Sequence, residues 1–253
     1  MPLAIQAGLW GLLSGSALLL GALIGWFAHL PQRLIAAVMA FGAGVLISAL
    51  SFELMDEAWK QGGFGPVAGG FLTGAAIYTA ANWVLAHRGA RHRKRSGATG
   101  KRDAQVAAHP DNGLALALGA LLDGIPESIV IGVSLIEGGA VGLVAVIAVF
   151  LSNLPEGLSS AAGLKKEGKS AAYTFGLWTG IALTSGAAAS IGYVAFAGAD
   201  PGAVAFVQAI AAGAILAMIV DTMVPEAFEG THDFAGLISV GGFLVAFGLS
   251  KLS

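Results

Sequence analysis

"LLDGIPESIVIG", residues 121–132, and "FLSNLPEGLSSAA", residues 150–162, decide how this chain is read. Both are apolar runs broken by a Pro-Glu pair, and in each a second polar residue, Asp123 or Ser152, stands four positions before the glutamate. On a helix that spacing puts Asp123 with Glu127, and Ser152 with Glu156, on one face. Asn153 sits three before Glu156. Each proline removes an amide donor and disrupts the bond to the carbonyl four residues back, Leu122 or Leu151. Freed carbonyls next to carboxylates are ligands for a hard cation.

The surrounding composition says where such helices reside. Of the 253 residues 56% are hydrophobic and only 11% are charged, against about a quarter charged in soluble domains. The chain therefore belongs in a bilayer. Its 38 glycines suit helices whose backbones approach closely there. No cysteine is present, which excludes disulfides, thiolate metal sites and cysteine nucleophiles.

A crossing needs about 20 apolar residues. Eight such spans are predicted, at 4–29, 34–56, 66–86, 113–136, 140–163, 171–197, 203–227 and 234–250. The expected fold is an all-α bundle forming one transmembrane domain over 1–253, interrupted by a flexible basic loop at about 87–112. No lysine, arginine or acid precedes Arg33, so the first apolar stretch reads as a retained span and not as a signal peptide.

Lysine and arginine set the orientation. With the N-terminus outside, the inner loops hold Arg33, the cluster Arg88 to Arg102, and Lys165, Lys166 and Lys169, leaving only Lys60 and Lys251 outside. Both termini are then external and the basic loop is cytoplasmic. That charge run is an orientation signal, and no nucleic-acid partner is expected.

Residues 41–58 align without gaps to 210–227, matching at Ala43/Ala212, Gly44/Gly213, Glu57/Glu226 and Ala58/Ala227. In the expected topology spans two and seven run in opposite directions, so spans 1–3 and 6–8 form an inverted repeat around spans four and five, a 3+2+3 layout.

An ionised carboxylate at the centre of a membrane helix costs roughly 2.5 kcal/mol or more. No lysine, arginine or histidine lies in mid-span to neutralise Asp123, Glu127 and Glu156, which points to a bound cation or to protons. Glu53 and Asp221 are further pathway candidates. Asp56, Glu57 and Glu226 fall at span ends, where Asp56 and Glu57 read as solvated termini.

With these residues the chain resembles the ZIP family of divalent-metal transporters. The family's fourth and fifth spans typically carry His-Asn-x-Pro-Glu-Gly, and Pro126, Glu127, Asn153, Pro155, Glu156 and Gly157 match. The resemblance implies ligand roles for Glu127, Asn153 and Glu156, a cytoplasmic loop after the third span and a homodimer in the cell membrane. Asp123 and Ser152 occupy the histidine positions, and Gly124 replaces the first asparagine. Family membership implies zinc or iron as cargo. An all-oxygen ligand set suits manganese, magnesium or calcium, with iron(II) also open.

The expected activity is therefore transport of divalent metal toward the cytoplasm, not enzyme catalysis. Two other classes compete: an intramembrane hydrolase pairing Asp123 with Asp221, and a proton-coupled carrier of a small organic solute. Gly11/Gly15, Gly21/Gly25 and Gly176/Gly180 have the spacing of close helix contacts, within one bundle or between two copies.

Overall fold

Backbone amides in hydrocarbon have no water to bond, so long apolar segments satisfy them within helices. The computed structural model describes residues 1–28, 30–85, 87, 112–136 and 142–252, and among them there is no strand. The expected loop at 87–112 lies outside the described residues except for its two end positions.

The helices are α1 (Leu3–Phe27), α2 (Gln32–Ala49), α3 (Met55–Gly62), α4 (Phe64–Leu85), α5 (Asn112–Ser134), α6 (Leu143–Lys166), α7 (Ala171–Phe196), α8 (Pro201–Met218), α9 (Val224–Thr231) and α10 (Ala235–Ser250). A π turn, Leu50–Leu54, joins α2 to α3, and a second, Ile219–Met223, joins α8 to α9. Among the described residues, five continuous runs are long and apolar enough to cross a membrane: Leu3–Phe27, Gln32–Gly62, Leu143–Lys166, Ala171–Phe196 and Pro201–Ser250.

The last run reverses within itself. Met223 and Gly230 lie against Gly42 and Ala36, so α9 runs antiparallel to α2. After His232, at φ 46, Ser239 bonds the Ala40 carbonyl and Phe247 meets Phe52, so α10 runs parallel to α2. Helix ends lie within a few residues of the expected ones, except that the rods begun by α2 and α8 continue to Gly62 and Thr231. The polar end of the first rod carries an exposed Asp56–Lys60 pair, and its Glu57 accepts from Gln208 of α8.

Small residues set the spacing between rods. A Cβ on Gly44 would collide with the Ser239 carbonyl, and one on Gly213 with the Phe71 carbonyl. Thus α2 packs on α10 as α8 packs on α4. Gly11 and Gly15 face α7, and Gly21 and Gly25 face α6, while Gly176 and Gly180 are open on the surface of α7. Outward faces carry large apolar groups such as Leu72 and Leu237, each 70% exposed. Leaving side chains of that size in water forgoes roughly 2 kcal/mol each, so this surface fits lipid and a multi-pass membrane protein.

Candidate metal centre

Helices α5 and α6 bring their Pro-Glu segments to the middle of the bundle, and both prolines lie inside continuous helix. Close backbone approach makes room for this. Gly42 of α2 lies against Pro155 and Ser152, and a Cβ on Gly157 would strike the Leu18 carbonyl of α1.

Asp123 and Glu127 are each only 2% exposed. They share a face, as their spacing requires, but they meet different helices. The Tyr78 hydroxyl of α4 donates to Asp123 Oδ1 at 2.7 Å. The Ser152 hydroxyl of α6 points to Glu127 Oε1 at 3.5 Å, the outer limit of a hydrogen bond, and donates to the Val149 carbonyl at 2.9 Å. Glu127 also borders a narrow cavity whose other walls are apolar, among them Leu46, Leu50, Val130 and Ile215. A carboxylate facing apolar walls gains from any cation admitted to its side.

Asn153 and Glu156 are buried on α6. The Asn153 amide donates to the Ser14 carbonyl of α1 at 3.1 Å, so its nitrogen ties α6 to α1. Glu156 lies one turn beyond Ser152 on the same face. The other two sequence candidates stand apart. Glu53 is half-buried in the first π turn, within Coulombic reach of Lys251. Asp221 is exposed in the second π turn. Among the described residues no three histidine, cysteine, aspartate or glutamate side chains converge as a metal cage. Any ion held at Glu127 would therefore draw on neutral oxygens as well as carboxylates.

Two buried residues near this centre were not singled out by the sequence reading, which did not name Tyr78 and placed Glu226 only at a span end. Tyr78 is buried and holds Asp123. An aromatic residue in an apolar span carries no mark of that role. Glu226 is buried too, and the Ser159 hydroxyl of α6 donates to its Oε1. Its sequence did carry a signal, since Pro225-Glu226 is a further Pro-Glu pair.

No family model matches the chain. Among curated proteins it is similar to the zinc transporter ZIP11 of Bos taurus, 26% identical over 323 aligned positions that cover 95% of this chain and 93% of the relative. This full-length likeness supports membership in the ZIP family.

Proposed function

We propose, from the ZIP-family membership which that relative supports, that the chain carries divalent metal cations across a membrane toward the cytoplasm. Zinc is the cargo class suggested by the relative's name. The oxygen donors at the centre also suit manganese or iron(II). Asp123, Glu127, Ser152, Asn153 and Glu156 form the substrate site between α5 and α6, the fourth and fifth spans, while Glu53 and Asp221 serve its approaches. The observation that carries this reading is the buried approach of Ser152 to Glu127 between two helices that each carry an internal proline. Loading an ion draws Glu156 toward that link, and the carbonyls of Leu122 and Leu151 supply further oxygens.

The bundle in this proposal has eight spans in a 3+2+3 order forming one domain. Its support is a constant offset of 169 positions between equivalent features, Gly44 and Gly213, the π turns at 50–54 and 219–223, and Gly63 and His232. The two bent rods also run antiparallel, since Gly62 meets Ala205 while Ala36 meets Gly230. That is the relation alternating access uses. The proposed orientation has external termini. In its support, Lys165 bonds the Trp26 carbonyl, which puts the basic end of α6 beside the end of α1, the end from which the chain continues to Arg33. The open Gly176/Gly180 face of α7 is the proposed contact of a homodimer.

A hydrolase with paired aspartates draws no support, because Asp123 is buried against Tyr78 while Asp221 is exposed. The test is zinc uptake into proteoliposomes. Glu127→Gln should abolish it, along with the zinc-dependent rise in melting temperature of the purified protein. Undiminished uptake by that variant removes Glu127 from the mechanism and, with it, this reading.

A further inference from the structure

Along α6, Ser152, Glu156 and Ser159 succeed one another at the i, i+4, i+7 spacing of a single helix face, and all three are buried. At one end of the stripe Ser152 points to Glu127 of α5. At the other, Ser159 donates to Glu226 of α9. The two ends are about 10 Å apart along the helix, seven residues at roughly 1.5 Å each. Beyond Ser159 the helix ends at Lys165 and Lys166.

Glu226 is only 6% exposed, although it lies near the end of its rod. Its repeat equivalent is Glu57, which accepts from Gln208 Nε2 at 3.0 Å. The position equivalent to Gln208 in the first rod is Met39, fully buried, which has no hydrogen to donate. At Glu57, therefore, one bent rod clamps the other. Met39 offers Glu226 no such donor, and the carboxylate meets the polar stripe of α6 at Ser159.

We propose that Glu226 and Ser159 form a second station for the divalent cation, which receives it from the Glu127–Glu156 region before release at the basic end. This rests on the transport reading and adds a residue pair to it. The chemistry is that of a hard cation: one carboxylate and one hydroxyl oxygen, in line with the oxygens of the first site. Because the second station acts after loading, its loss slows turnover and spares binding at the first.

The experiment compares zinc uptake rates in proteoliposomes with the zinc-dependent melting shift of the purified protein for Glu226→Gln, Ser159→Ala and Glu127→Gln. Glu226→Gln should lower the maximal uptake rate by about tenfold or more while keeping the melting shift, and Ser159→Ala should lower the rate a few-fold. Glu127→Gln should lose both readouts. Wild-type uptake by Glu226→Gln, with Glu127→Gln inactive, overturns the second station and leaves the transport reading in place. Loss of the melting shift in Glu226→Gln also overturns it, because Glu226 then belongs to the first site. Full uptake by Glu127→Gln instead defeats the reading underneath. If Glu226→Gln does not fold, Ser159→Ala decides, since it trims one oxygen from a packed helix, and unchanged uptake there counts against the station.

Discussion

The two bent rods, Gln32–Gly62 and Pro201–Thr231, share a backbone but not a chemistry. Each runs α-helix, π turn and α-helix, each carries a glycine where a neighbouring helix presses against it, and each ends at a residue with positive φ. Their side chains differ at the points that bear charge. The first rod has Glu53 in its π turn where the second has Thr222, and Glu57 is held by the opposite rod where Glu226 is held by α6. A repeated backbone sets where helices bend and touch. It leaves open which end is clamped shut and which faces the polar path.

The largest effect expected from this comparison is at the pressed glycines. Gly44→Leu and Gly213→Leu should each destabilise by about 3 kcal/mol or more, since rigid backbone must yield, read as lost monodisperse protein on size exclusion. A severe loss at one position and none at the other would break the equivalence. Next comes the clamp. Gln208→Met, which copies Met39, should lower stability by about 2 kcal/mol, the worth of a hydrogen bond to a charged group. A melting temperature equal to wild type would show that Gln208 does not hold the rods together.

The rod ends give a smaller difference. Gly63, at φ 67 and ψ −171, occupies a region that only glycine enters readily, and open space surrounds its α-carbon. Gly63→Ala should therefore lower stability by about 1 kcal/mol through backbone strain alone. His232 already bears positive φ at the equivalent end, so His232→Gly should be neutral or slightly stabilising by thermal melting. The smallest effect concerns the Asp56–Lys60 pair, joined at 2.7 Å but largely exposed. Lys60→Met should leave the melting temperature unchanged, because solvent screens such pairs.

Part of the candidate site was legible residue by residue. The Asp123/Glu127 and Ser152/Glu156 spacings predicted shared faces, and the structure has both pairs buried. The facing of Asp221 was not legible: its place inside an apolar span made it a pathway candidate, but it lies within a π turn, where the extra residue per turn departs from the spacing of an α-helix. Asp221 is exposed, and the buried carboxylate of that rod is Glu226. Gln208 was invisible for another reason: a lone amide in an alanine-rich helix has meaning only once Glu57 is known to face it.

Sequence alone determined that this chain is a set of apolar helices with carboxylates buried in their middle, because hydrophobicity and helical spacing are properties of neighbours along the chain. Which oxygens meet was decided only in three dimensions. Tyr78 on Asp123, Ser152 toward Glu127 and Ser159 on Glu226 each join residues 25 to 67 positions apart. Such pairings depend on the rotation and bend of whole helices. Those are set by glycine contacts, prolines and π turns acting together, and no local pattern encodes their sum.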